Sequence, residues 1–358
     1  MSEHQATLVD ILPAHAFDID ALQHYVESAC EKTFNTFTVR QFQGGQSNPT
    51  FLIDADIKHW VLRKKPNGKL LPSAHMINRE YQVMEALHPT AVPVPAMTLY
   101  CEDPRVIGTE FYLMDYVPGM LIEHPALHGV SPAHCHTLYE NMATTLAALH
   151  KVDINAVGLQ DYARSTADYY ARQIKRWSEQ YRQASAVPGG GKEGANAMHF
   201  LMEYLPNHIP ADDTTCLVHG DYRVGNLLIN EDDFTIAAVL DWELSTLGHP
   251  LADLAYCCIP YHLPSEQEGV KGLLGTDLKA RGIPSEAAFI DMYCRACGRD
   301  GVENWPFYVA FSLFRLASIC QGVYARALQG NASSANALAV GSRAALLAIT
   351  ARNLLTKK

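Results

Sequence analysis

At 358 residues the chain exceeds the roughly 100–200 residues of one ordinary core, so two lobes or one large α/β unit are expected and a small module is excluded. With 48% hydrophobic and 18% charged residues it can bury a sizeable core and is too apolar for intrinsic disorder. Asp and Glu number 38 against 28 Lys and Arg, and no basic run exceeds Arg63-Lys64-Lys65, which argues against nucleic acid and anionic membrane as partners because both select clustered positive charge.

Residues 16–32 read as a helix, capped by Asp18 or Asp20, with Leu22, Tyr25, Val26 and Ala29 as its apolar stripe. The period then changes to two. FTVRQF from Phe37, TFLID from Thr50 and WVLRK from Trp60 predict three strands, the first pair joined by QGGQSNP and the second by a polar turn at 54–56. A capped helix is expected from near Ser73, followed by a proline-punctuated loop and two short strands around 97–100 and 111–116. Pro118 and Gly119 end this run of five strands and one inserted helix. Beyond it, Ser131 as N-cap and Pro132 at the first helical position open a mostly helical pattern. The expected division is a β-rich lobe over 1–117 and a helical lobe over 118–358.

One segment interrupts the helices. LVHGDYRVGNLLI (217–229) and FTIAAVLDW (234–242) are apolar runs separated by turn residues, so they predict a loop and a β-hairpin, and such an interruption marks a site. Residues 184–197 and 263–285 have loop composition, and no internal repeat is present. The hairpin sets Asp221 and Asn226 before its first strand and Asp241 at the end of its second. Asn and Asp oxygens suit a hard Mg²⁺ carrying nucleotide phosphates, and Asp221 is left to accept a hydroxyl proton. That division of labour belongs to a phosphotransferase.

HGDYRVGN resembles the catalytic loop of protein kinases, with Gly220 where that family has Arg, as in the aminoglycoside phosphotransferase and choline kinase families. LDWE stands where the metal-binding D-F-G would, and GHPLADLAY from Gly248 is similar to the segment that follows it. The resemblance covers roughly 37–330, and its closest form is the kinase-like domain fused to acyl-CoA dehydrogenases. It implies a protein-kinase-like α+β fold of two lobes, with ATP and Mg²⁺ as cofactors. Position by position it makes Asp221 the base, Asn226 and Asp241 the metal ligands, and Arg223 the counterpart of a γ-phosphate-contacting Lys. His219 would brace the loop and Asp253 would hold it in shape.

The N-terminal half offers a nucleotide site. Gly44 and Gly45 let backbone N–H groups approach phosphates, and Ser47 and Asn48 add side-chain donors, although the same sequence alone is also an ordinary glycine turn. On the third strand, alternation puts Val61, Arg63 and Lys65 on one face and Trp60, Leu62 and Lys64 on the other. Aligned with the V-A-I-K strand of kinases, Val61 would touch adenine and Arg63 would take the lysine position, binding phosphates bidentately; Lys65 is the other candidate. Glu80 falls inside the stripe of Met76, Ile77, Val83, Met84 and Leu87, where a carboxylate is costly without a cation, so it is expected to pair with Arg63 unless it snorkels to water. In FYLMDYVPG the backbone of Asp115 and Val117 would meet the adenine edge, with Met114 behind it.

Other features are discounted. GGGK at 189–192 lacks the P-loop spacing, and Cys294-x-x-Cys297 has no second pair for zinc. Nine cysteines at irregular spacings and an N-terminus without a signal-peptide pattern point to a reducing, cytoplasmic setting; no uninterrupted apolar stretch reaches the roughly 18–20 residues of a membrane span. The late helix over 303–326 mixes Phe307, Phe311 and Phe314 with Arg315, Gln321 and Arg326. It reads either as the wall of a pocket for an anionic or acylated acceptor, or as a core helix with solvated or paired arginines.

The resulting expectation is ATP- and Mg²⁺-dependent transfer of a phosphoryl group to a small-molecule hydroxyl acceptor. The resemblance suggests a hydroxyacyl-CoA or hydroxy acid, and the even spread of acidity along the chain argues against a polycation. Two rivals are a metallohydrolase using His219, Asp221 and His249, and a catalytically inactive nucleotide-binding protein of kinase fold. The second is prompted by Arg63 and Trp242-Glu243, where protein kinases have Lys and Phe-Gly.

Overall fold

Asp18 starts the first helix: its Oδ1 accepts from the Ala21 N–H at 2.9 Å, and α1 runs over Ile19–Cys30 with Leu22 and Val26 buried. Before it, the two-residue strand β1 (Leu8–Val9) pairs with Phe42 and Gln41. The computed structural model describes residues 7–43, 48–66, 76–163, 168–187, 194–265, 270–329, 337–341 and 343–356. Packing resolves the chain into two units. The first comprises Met1–Leu121, Val157–Leu159 and Asn226–Ser245, and the second Ile122–Ala156, Gln160–Gly225 and Thr246–Lys358.

In the first unit the alternating runs are strands β2 (Phe37–Phe42), β3 (Thr50–Ala55) and β4 (Lys58–Lys64). β3 turns into β4 at Asp56, which takes the left-handed conformation (φ +52°), and at Ile57. α2 (Ile77–Leu87) follows; the cap expected at Ser73 lies outside the described residues. β5 (Met97–Cys101) and β6 (Phe111–Asp115) complete an antiparallel sheet of order β1-β2-β3-β4-β6-β5. Alternation sorts its faces. Trp60 and Leu62 bury against Leu22 and Val26 of α1, which sends Val61 and Arg63 to the opposite face.

The short strand β7 (Met120–Leu121) has no counterpart in the sequence reading. Further along the chain come β8 (Cys216–Val218), β9 (Leu227–Ile229) and β10 (Ile236–Val239). β9 and β10 form the expected hairpin, and β7 joins it through Met120↔Ile229 and Leu121↔Leu228. Gly119 makes this approach possible, since a Cβ there would stand 2.8 Å from the Ile229 carbonyl oxygen. The Val239 N–H also donates to the Pro93 carbonyl. By these bonds the hairpin packs with the β-rich unit, whereas the division drawn at 117–118 assigns it to the helices.

The second unit is helical: α3 (Pro132–His150), α4 (Tyr169–Ser185), α5 (Ala195–Tyr204), α6 (Pro250–Cys258), α7 (Glu286–Cys297), α8 (Trp305–Leu328), α9 (Ala337–Gly341) and α10 (Arg343–Thr356). Ser131 caps α3 by accepting from the His134 N–H at 3.2 Å, with Pro132 in the first turn. β8 pairs with β11 (Thr246–Gly248) beside this bundle. α8 packs on α4, α6 and α10. Among the described residues it is the one helix long and apolar enough to cross a membrane, and 72% of that apolar window is buried inside the protein, which makes it a core helix. The nine cysteines form no disulfide.

Candidate active site

In the first unit, α2 delivers Glu80 to the Arg63 face of the sheet. Glu80 is 1% exposed, and its Oε2 lies 3.1 Å from Arg63 Nε and accepts from the Tyr112 hydroxyl at 2.9 Å. Asn48 Nδ2 donates to Oε1 at 3.1 Å, so the Asn48 amide, expected over a phosphate, faces Glu80 instead. The partner read from helical spacing is in place. Arg63 has a second partner that spacing does not reveal: Nη2 donates to Asp241 Oδ1 at 3.0 Å. Burial pushes the Glu80 carboxyl up, to about 7, against the pull of Arg63 and Tyr112. Burial disfavours the Arg63 charge, but Glu80, Tyr112 and Asp241 more than offset that and keep it protonated. Lys65, the alternative cation on β4, pairs with Glu110 at 2.8 Å.

Asp241 takes the left-handed conformation, φ +65° and ψ +60°, which an Asp tolerates better than most residues and which recurs at functional positions. The Asn226 carbonyl accepts from the Leu240 N–H at 2.9 Å, so Asn226 and Asp241 spring from neighbouring backbone. Glu80, Asp241 and Glu243 each bring an oxygen within 4.8 Å of the others, the one such acidic group among the described residues. A donor set made only of oxygens fits a hard divalent cation such as magnesium. The sequence reading names Glu243 only as a departure from the Phe-Gly of protein kinases and not as a cation ligand, although LDWE places this second carboxylate two residues after Asp241.

Val61 and Met114 are cross-strand partners on β4 and β6. The Asp115 N–H donates to the Ala96 carbonyl and the Tyr116 N–H to the His59 carbonyl. Val117, next in line, makes no hydrogen bond among the described residues. Gly44, Gly45 and Ser47 lie outside the described residues.

In the second unit the loop after β8 carries Asp221 and Arg223. Asp253, in the first turn of α6, fixes it: Oδ2 accepts from the His219 N–H at 2.6 Å and Oδ1 from the Gly220 N–H at 2.8 Å. Gly220 has φ +82°, a left-handed turn where the Arg of protein kinases would be strained. His219 is fully buried, and its Nδ1 accepts from the Asp221 N–H at 3.2 Å, which makes it the brace expected. Burial of Asp253 would raise its pKa; hydrogen bonding to His150 and the His219 backbone, with the His150 and His219 charges, lowers it below the ordinary range.

Arg223 Nε lies 3.5 Å from Asp221 Oδ2, and its Nη1 lies 3.6 Å from Glu123 Oε2, which also pairs with Lys271. Gly225 gives this guanidinium room, because a Cβ there would stand 2.3 Å from Nη1. Tyr256 of α6, also missed in the sequence, feels Asp221 directly: burial first and the facing carboxylate second push its hydroxyl well above the usual range. His249 caps α6 by accepting from the Leu251 N–H and faces Asp212 at 3.4 Å, so it joins no metal group with His219 and Asp221 among the described residues.

Comparison with known proteins extends this picture. A profile of the phosphotransferase enzyme family matches residues 38–304. The chain is 43% identical over 342 residues to acyl-CoA dehydrogenase family member 10 of Mus musculus, covering 95% of this chain and 31% of that protein. To acyl-CoA dehydrogenase family member 11 of Homo sapiens it is 39% identical over 336 residues, covering 92% and 42%. The chain thus spans less than half the length of these curated relatives. A solved structure from Ralstonia eutropha, provisionally described as an aminoglycoside phosphotransferase, superposes with a TM-score of 0.85 at 41% identity, covering 95% of this chain and 98% of that one. Choline kinase from Cryptosporidium parvum superposes at 0.65 with 13% identity, covering 94% and 96%. Spectinomycin phosphotransferase, solved with ADP and spectinomycin, superposes at 0.62 with 14% identity, covering 94% and 99%. The last two share the fold, which is the kinase-like α+β fold of two lobes.

Proposed function

Since the chain belongs to the phosphotransferase enzyme family and is a phosphotransferase with a hydroxyl acceptor, we propose that it moves the γ-phosphoryl group of ATP, with magnesium, to a small molecule. The observation that carries the reading is the loop in which Asp253 and His219 hold Asp221, with Arg223 beside its carboxylate. Asp221 orients the acceptor hydroxyl and takes its proton as the oxygen bonds to the γ-phosphorus. The bond from that phosphorus to the β,γ-bridging oxygen breaks, and ADP leaves with the electron pair. Magnesium, held by Asn226 and Asp241 with Glu243 beside them, would offset the phosphate charge.

Arg63, anchored by Glu80, supplies a guanidinium for the α- and β-phosphates in place of the usual lysine, and Arg223 meets the charge that grows on the transferred group. Val61, Met114 and the backbone at Asp115 and Val117 are assigned to the adenine, and Gly44, Gly45 and Ser47 to the phosphate-covering turn, next to which Asn48 donates to Glu80. The names of the relatives, acyl-CoA dehydrogenases of more than twice this length, make a hydroxyacyl-CoA or a hydroxy acid the first acceptor to try.

The test is ADP release across hydroxyacyl-CoAs, hydroxy acids, choline, sugars and aminoglycosides, with the Asp221→Asn protein as blank. Turnover of at least one acceptor is expected, with Asp221→Asn retaining ATP binding and losing transfer. Undiminished turnover by Asp221→Asn would remove Asp221 from its role. ATP binding without turnover of any acceptor would point to the inactive nucleotide-binding reading.

A further inference from the structure

Arg315 lies midway along α8 and is 8% exposed. Its guanidinium carbon lies 5.6 Å from the centroid of the Trp177 ring and 5.5 Å from that of Tyr256. Among the described residues it has no carboxylate partner and no hydrogen bond. Three other arginines of the second unit are partnered, Arg299 with Asp212 at 2.8 Å, Arg223 with Asp221 and Glu123, and Arg281 with the Ala126 and Leu127 carbonyls, while Arg176, 5.3 Å from the same Trp177 ring, is exposed to solvent and so bears no cost of burial. Contacts with aromatic faces offset only part of the cost of burying a cation, which an anion with good hydrogen bonds would complete. Arg315 keeps 8% of its surface exposed, and its nitrogens are not among the fully sealed, partnerless atoms of the protein.

Arg315 is tied to the chemistry by Tyr256. One and the same ring stacks on Arg315 and points its hydroxyl at Asp221, and the two charges act on that hydroxyl in opposite senses. Arg315 thus has no ion pair among the described residues, whereas Arg326, further along the same helix, is solvent-exposed.

We propose that Arg315, lying against the Trp177 and Tyr256 rings, receives an anionic group of the acceptor, a carboxylate or a phosphate, and so selects negatively charged hydroxyl compounds over polycations. This rests on Asp221 being the base of the proposed transfer. The planar guanidinium carries its donors in its own plane, which suits bidentate capture of such an oxyanion, and it repels an ammonium group brought to the same place. Arg315 acts here as a specificity-determining residue; proton transfer stays with Asp221.

Two matched pairs separate the sources of the anion: 4-hydroxyhexanoate against its methyl ester, and 4-hydroxyhexanoyl-CoA against the corresponding N-acetylcysteamine thioester. ADP release by the wild type should favour the anionic member of at least one pair by roughly 10- to 100-fold in kcat/KM, mostly through KM. Arg315→Met, of similar volume, should erase that preference, and Arg315→Lys should keep part of it; Arg315→Gln replaces the Met protein if circular dichroism shows the latter unfolded. Equal use of charged and uncharged members, or a preference that survives loss of the guanidinium, overturns the proposal.

Calorimetric binding of 4-hydroxyhexanoate and of CoA without nucleotide separates the two readings. Arg315-dependent binding without ADP release would keep the anion site and sink the kinase reading. ADP release without charge preference would do the reverse, and neither binding nor release would sink both.

Discussion

Arg63 is held by a carboxylate that helical spacing points out and by another that it cannot. Glu80 is legible because a charged residue inside an apolar stripe needs a cation, and the facing strand supplies few. Asp241 lies 178 residues further along the chain, and no local periodicity connects it to Arg63. The same limit applies to Arg315: period 3.6 predicts its burial, while the absence of a carboxylate partner among the described residues depends on which side chains α4 and α6 bring there. Arg63→Met strands a buried carboxylate, so it should cost about 3–5 kcal/mol at neutral pH in urea denaturation. The cost should grow as the pH rises above 7, because without the pull of Arg63 the Glu80 carboxyl, at about 7 beside that cation, holds its proton to a higher pH while the paired carboxyl is ionised. Arg63→Met combined with Glu80→Gln should recover more than half of the loss; simple addition of the two single effects would show that the pair is not the source.

Among elements, long alternating or capped segments declare themselves. β2, β3 and β4 follow period two, and Ser131-Pro132 marks the start of α3. β1, β7, β8 and β11 have two or three residues each, too short for any period, and exist because a distant strand offers backbone partners. For that reason the hairpin's membership of the β-rich unit could not be read from the chain. The loop at 219–226 is a different case, legible as a motif but not in its packing. Gly225 shows what the packing adds, since a Cβ would meet the tip of a flexible side chain, Arg223 Nη1. Gly225→Ala should therefore leave stability within about 1 kcal/mol while displacing Arg223 and lowering kcat about 10- to 100-fold. If Arg223 is the intermediary, Gly225→Ala in an Arg223→Ala background should cause no further loss; an additional tenfold drop would place the effect elsewhere.

Across the whole molecule, two buried titrating groups shape stability in opposite senses. Burial, against the pull of Asp212, lowers the His249 pKa from 6.5 to about 4. Between those values the unfolded chain binds a proton that the native protein does not, so this group makes stability fall as the pH drops from about 6.5 to 4. Glu80 is raised from 4.5 to about 7, so over that range the native protein holds the extra proton and stability rises as the pH drops. For a chain that unfolds in one transition, the two contributions nearly cancel between about pH 4.5 and 6.5, and the wild type should show a flat stability profile there. Below about pH 4 the profile should turn steeply down, because Asp253, whose native pKa is lowered, gives up its contribution as it protonates. His249→Asn keeps an acceptor for the Leu251 N–H at the start of α6 while removing one of the opposed groups. With His249 gone, Glu80 is opposed in that window only by the burial-lowered His124 among the histidines, so the variant should gain stability on going from pH 7 to 4.5, by up to about 3 kcal/mol relative to its own value at pH 7. Urea midpoints measured every half pH unit decide the matter: parallel curves for the two proteins would mean that His249 does not titrate against Glu80, and a wild-type profile sloping steadily through the window would mean that the two shifts are unequal.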